Sequence, residues 1–164
     1  MKIWGKAGII VLTLILELVL ANIVNFNTVK PDLMLIVIIC LAFLSNPQEG
    51  IVVGFAGGLL KDIFSVSLLG IHALVKTTIG YLSGIIRERI FYQHLLWIIT
   101  IATFFFTLLN NTLVYYLLKS FHTDYIFVTI LKKYLIIKAI INSALAPLVY
   151  IGIKRLLTYF QRWS

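Results

Sequence analysis

The chain has 164 residues, of which 61% are hydrophobic and only 12% charged, with a mean hydropathy of +1.03. Soluble domains of this size carry about 45–50% apolar and about 25% charged residues, so the composition points to an integral membrane protein. At about 20 apolar residues per membrane helix, the length accommodates five or six spans and leaves no room for an ATPase or other soluble catalytic domain.

The net charge of +8 reads as membrane orientation, because cytoplasmic loops collect Lys and Arg, and no nucleic-acid partner is expected from it. The single cysteine, Cys40, lies in an apolar run, where it acts as a small packing residue. Lys2 and Lys6 precede an apolar stretch in the manner of a signal peptide. That stretch continues to Phe26 and is interrupted by Glu17, so an uncleaved first span is expected over residues 7–26.

Pro31 and Asp32 form a good helix start, since proline suits the first turn and an acid suits the positive end of the helix dipole. The second predicted span covers 33–46 and is apolar as far as Leu44. It is closed by the breaker cluster Ser45-Asn46-Pro47-Gln48-Glu49. The third covers 50–64 and the fourth 69–86, with a charged loop opening at Arg87-Glu88-Arg89. The fifth covers 95–118 and the last 134–153, preceded by a stretch bearing Lys132 and Lys133 that is expected at the interface. Spans two and three are short for a hydrocarbon layer of about 30 Å, and fit either two thin helices or a re-entrant hairpin. Two true spans are preferred, because a hairpin needs surrounding protein to cover its tip. Basic residues favour both termini on the cytoplasmic side, with Lys2, Lys6, Arg87, Arg89, Lys154, Arg155 and Arg162 there and Lys30, Lys119, Lys132 and Lys133 opposite.

Conventional enzyme and cofactor motifs are missing from the sequence, and neither a catalytic role nor a cofactor or metal is expected. His72, His94 and His122 are scattered, and the acids fall in different segments; His72 reads as a hydrogen-bonded polar residue. What remains is charge within apolar segments: Glu17, Lys76 and Lys138. Each is costly in lipid and should face protein, water or a counter-charge. Similar depth pairs Glu17 with Lys138 and Asp62 with Lys76, and Glu17 with Lys76 as the next combination. The amides Asn110, Asn111 and Asn142 anchor helix contacts, and Pro147 should kink the last helix.

Gly50, Gly54 and Gly58 recur every four residues and lead to Asp62, which makes a smooth stripe ending in a carboxylate. Lys76, Gly80 and Gly84 repeat the spacing in the next segment. Small-residue stripes let helices approach closely, so the two are expected to meet in a hairpin, with docking of another protein's membrane helix as the competing use.

At these residues the chain resembles the MreD family of bacterial rod-shape proteins. The resemblance rests on Pro31-Asp32-Leu33, then Gly54, Gly58, Leu59, Asp62, Ser67, Leu69 and Gly70, within the segment GGLLKDIFSVSLLG. Glu17 and the Asn142/Pro147 pair fit less specifically, and Lys61 replaces a residue that is more commonly apolar. The resemblance implies an all-α fold, a six-transmembrane-helix bundle similar to the S-components of energy-coupling-factor transporters. It implies a non-enzymatic role in the inner membrane: binding the bitopic partner MreC and supporting a complex with MreB filaments, the RodA glycosyltransferase and a penicillin-binding transpeptidase in lateral peptidoglycan synthesis. The alternative is a vitamin-type S-component. The first segment has Ala7 and Ala21 but no AxxxA-like face of the kind such subunits dock with. A small membrane enzyme acting at the charges lacks a nucleophile–base pair.

Overall fold

The computed structural model describes residues 3–23, 29–64, 68–89, 95–120 and 135–162. Ser67, His94, His122, Asp124, Lys132, Lys133 and Trp163 lie outside them. Among the described residues the chain forms six helices and no strand: α1 (Ile3–Ile23), α2 (Leu33–Phe43), α3 (Pro47–Phe64), α4 (Ile71–Arg89), α5 (Leu95–Ser120) and α6 (Leu135–Arg162).

The organising element is α2. Its sequence, LMLIVIICLAF, is apolar on every side, and a helix with no polar face has to be enclosed by protein or lipid. Here protein encloses it: every residue from Met34 to Phe43 is buried, and α2 touches α1, α3, α4, α5 and α6. Eleven residues make a helix of about 16 Å, roughly half a hydrocarbon layer. The predicted span at 33–46 is therefore shorter than expected, because the chain turns at Leu44 and Ser45 and α3 starts at once. Asn46 Oδ1 accepts the Glu49 N–H at 2.8 Å, and Pro47 occupies the first turn, where a missing N–H costs nothing. The cluster that reads as a breaker in the sequence thus also begins the next helix.

Two pairings complete the bundle. α3 packs along α4 as a tight hairpin, and α5 packs along α6. α1 lies at the side, inserting Ile9, Ile10, Thr13 and Leu14 and leaving Val11, Leu12, Ile15 and Leu16 about half exposed. Among the described residues, α5 and α6 are long and apolar enough to cross a membrane by themselves. The expectation of six such helices is met only by these two on that criterion. α2 is too short, and α3 and α4 spend much of their length on glycine and ionic side chains. α6 continues to Arg162, well past residue 153, with Pro147 inside it.

Candidate functional site

The N-terminus of α2 poses a physical problem that the rest of the chain answers. The first N–H groups of any helix lack intrahelical partners, and here they are buried away from water. Asp32 caps them: its Oδ1 accepts the Leu35 N–H at 3.0 Å, and Glu17 of α1 reaches across to accept the Met34 N–H through Oε2 at 3.0 Å. Two carboxylates at a helix N-terminus are favoured by the dipole, but burying them requires cations. Lys61 of α3 supplies one, lying 2.7 Å from Glu17 Oε1 and 2.7 Å from Asp32 Oδ1. Lys76 of α4 supplies the second, with its Nζ 3.1 Å from Asp32 Oδ2 and 3.3 Å from Oδ1. Lys76 has no exposed surface, and Asp32 is 2% exposed.

The chain Glu17–Lys61–Asp32–Lys76 joins α1, α3 and α4 to α2. The two remaining helices join through amides. The Asp32 N–H donates to Asn142 Oδ1 of α6 at 3.1 Å, and Asn142 Nδ2 donates to Thr107 Oγ1 of α5 at 3.2 Å. Thr107 in turn donates to the Thr103 carbonyl, and its own carbonyl accepts from Asn111. All five other helices therefore place a polar group at one end of α2. Lys138 of α6 adds positive charge within electrostatic reach of Asp32. Burial opposes the charge on Asp32, but the fields of Lys61, Lys76 and Lys138 override it and hold the carboxyl well below the usual carboxylate range.

Asp62 does a related task next door. It is 1% exposed, and it accepts the N–H groups of Gly70 (3.0 Å), His72 (3.0 Å) and Ala73 (2.9 Å), the unsatisfied donors at the start of α4. Gly70, at φ +100°, takes a left-handed turn that a side chain would resist. The spacing from Asp62 to Gly70 thus encodes a cap delivered across a turn. Leu69 of the same motif is 74% exposed. The His72 side chain departs from the expected hydrogen-bonded reading: its buried Nδ1 has no hydrogen-bond partner among the described residues.

α3 presents two adjacent stripes, each ending in charge. Gly50, Gly54 and Gly58 lie against α4, and Asp62 continues that line. A Cβ at Gly54 would come within 2.8 Å of Thr77 Cα, and one at Gly58 within 2.8 Å of the Ala73 nitrogen. Gly50 and Gly80 face each other backbone to backbone, and a Cβ at Gly84 would meet the Pro47 nitrogen at 2.7 Å. The second stripe, Val53, Gly57 and Lys61, turns toward α2: a Cβ at Gly57 would approach Ile38 Cδ1 to 2.9 Å and Met34 Sδ to 3.1 Å. The glycines let α3 come close enough to both neighbours for Lys61 and Asp62 to reach their targets.

The other end of α2 is tied by cations. Arg87 Nε donates to the Phe43 carbonyl at 2.9 Å, suiting the negative end of the helix. Buried Lys6 of α1 donates to Ser45 Oγ at 2.7 Å and pairs with Glu49. Burial lowers the Lys6 pKa from its ordinary value.

Of the sequence-selected residues, Glu17, Asp32, Lys76 and Asn142 converge at this one site. The partners differ from those expected by depth. Glu17 is held by Lys61, not by Lys138, and Lys76 by Asp32. In the sequence Lys61 stands out only as a departure from the family motif, and Gly57 and Thr107 carry no mark of their own. The available signal was the i, i+4 relation of Gly57 to Lys61, one position before the more conspicuous Gly58–Asp62 line. Pro147 and Asn110 lie outside the hydrogen-bonded cluster, and the Asn110 Oδ1 has no partner among the described residues.

Chemically, the site is an ion-paired clamp. Its carboxylates are occupied by lysines and helix N–H groups, an arrangement suited to fixing helix positions. The comparisons with known proteins agree with the motif on which the resemblance rests. The model of the family described as rod shape-determining protein MreD matches residues 5–156, nearly the whole chain. No curated protein and no solved structure matches. A match of this extent includes the α2 clamp, the α3–α4 seam and both long apolar helices: the chain belongs to the MreD family of rod shape-determining membrane proteins.

Proposed function

We propose that this protein is a non-enzymatic scaffold of the bacterial elongasome. It forms a single six-span domain of the S-component type in the inner membrane, with both termini cytoplasmic. It binds MreC and supports the complex of MreB, RodA and the penicillin-binding transpeptidase that lays down lateral peptidoglycan. The observation that carries this reading is the family match over residues 5–156, combined with a polar site whose groups are engaged in holding helices. The α3–α4 seam is closed by its own hairpin, so the partner helix is assigned to an outer face. The test is co-purification of the tagged chain with MreC from membranes, and rescue of rod shape in cells depleted of the native copy. Retained MreC and restored rods support the scaffold. A folded chain that binds no MreC and leaves cells round refutes it.

A further inference from the structure

α6 changes character within a single turn. Leu148 (67% exposed) and Ile151 (38% exposed) give it an apolar outer surface, and Lys154 and Arg155, both exposed, follow immediately. Its 28 residues make about 42 Å of helix, against a hydrocarbon layer of about 30 Å, so its last turns extend beyond the apolar zone. α4 ends at the same end of the bundle, since Arg87 holds the C-terminal carbonyl of α2, and it presents exposed Arg89 there. α5 starts at that end with Trp97, 73% exposed, and Tyr159 of α6 is 61% exposed.

The cations differ from those inside the bundle. Lys6, Lys61 and Lys76 are paired with carboxylates. Arg89, Lys154 and Arg155 have no acidic partner among the described residues, and the acid nearest in sequence, Glu88, is itself exposed. Exposed cations interleaved with exposed aromatics, just beyond an apolar band, match the layering of a bilayer interface. There Trp and Tyr sit at headgroup level, and Lys and Arg meet phosphate. A soluble acidic protein would account for the cations but not for the aromatics beside them.

We propose that the layer formed by Arg89, Lys154 and Arg155, flanked by Trp97 and Tyr159, is a seat for anionic phospholipid headgroups, which fix the depth and tilt of α6 and α4. This rests on the bilayer-spanning reading above and is independent of the MreC partner.

The test uses the full chain in phosphatidylcholine nanodiscs titrated with phosphatidylglycerol, with retained lipid counted by native mass spectrometry and enrichment read by spin-labelled lipid. Phosphatidylglycerol should be enriched over phosphatidylcholine at the protein. The preference should fall about fivefold per charge removed in Arg89→Gln, Lys154→Gln and Arg155→Gln, and it should weaken in high salt. Exchange of the arginines for lysine, which keeps the charge, should preserve it, and circular dichroism checks that every variant is folded. Equal retention of the two lipids, or an unchanged preference in the triple Gln variant, overturns the proposal. So does competition by inorganic phosphate alone, or binding of an acidic peptide with no lipid preference. Incorporation into pure phosphatidylcholine discs tests the spanning reading separately: a chain that enters those discs but shows no lipid preference sinks this proposal alone.

Discussion

Asp32 is the residue on which the bundle turns. It is at once an N-cap, the shared anion of two lysines and, through its backbone N–H, the donor to Asn142. Removing one partner from a buried ion cluster leaves uncompensated charge, which costs about 3–5 kcal/mol, much more than an exposed pair is worth. Asp32→Asn should therefore destabilise the fold in mild detergent by about 3–5 kcal/mol, read as a clear fall in the thermal midpoint. The pH dependence has a defined sign. Because the native carboxyl is held below its ordinary value, its contribution is present above the unfolded value of about 4 and is lost as pH falls through the lower native one. A pH series of melting curves should show this acid limb in the wild type and lose Asp32's share of it in Asp32→Asn; an identical limb in both would contradict the assignment.

Among the elements, the α3–α4 hairpin is the most tightly specified. Its glycines differ from those elsewhere in what a methyl group would meet. At Gly54 it would strike the backbone of Lys76 and Thr77, which cannot move aside cheaply, whereas at Gly152 there is nothing within 4 Å. Gly54→Ala should destabilise by about 1–3 kcal/mol through forced separation of the helices. Gly152→Ala should leave stability unchanged or raise it by up to about 1 kcal/mol through helix propensity. Thermal or denaturant unfolding of the two variants side by side checks the contrast, and equal effects would deny the seam. Gly54→Leu is consequently a folding variant and a poor probe of partner docking. The stripe itself was legible as two i, i+4 series in adjacent segments. That the pair of stripes has a parallel companion in Val53, Gly57 and Lys61 was not, because Lys61 beside Asp62 looks like local neutralisation until α2 is placed against that face.

For the molecule as a whole, the polar groups are sorted to the two ends of α2. Carboxylates and lysines gather at its N-terminus, and Arg87 and the Lys6 pair at its C-terminus. Between them runs a fully buried apolar helix of about 16 Å, which separates the two clusters and makes a continuous charge relay across the bundle a poor reading. The proposed orientation, with both termini cytoplasmic, requires the end bearing Arg89 to face the cytoplasm and the end bearing Lys119 to face outward. In a chain whose native Cys40 is buried, Arg89→Cys should react with an impermeant thiol reagent only after the cytoplasmic side is opened. Lys119→Cys should react in cells whose cytoplasmic membrane is intact. The reverse pattern would invert the orientation.

Composition and periodicity were enough to give an all-helical chain of apolar segments, because these depend on runs and spacings that any helix of this sequence must display, whereas the family motif came from the resemblance. Asp32 could be seen as a helix-start residue for the first reason and Asp62 as a motif residue for the second. The ion-pair partners were beyond reach, since depth along a helix says nothing about azimuth, and partners are chosen by which faces meet. Packing α2 at the centre decided that. Once a helix apolar on every side is enclosed by five others, its bare N-terminus must be capped from outside, and the nearest carboxylates and lysines of the surrounding helices are drawn to that one point.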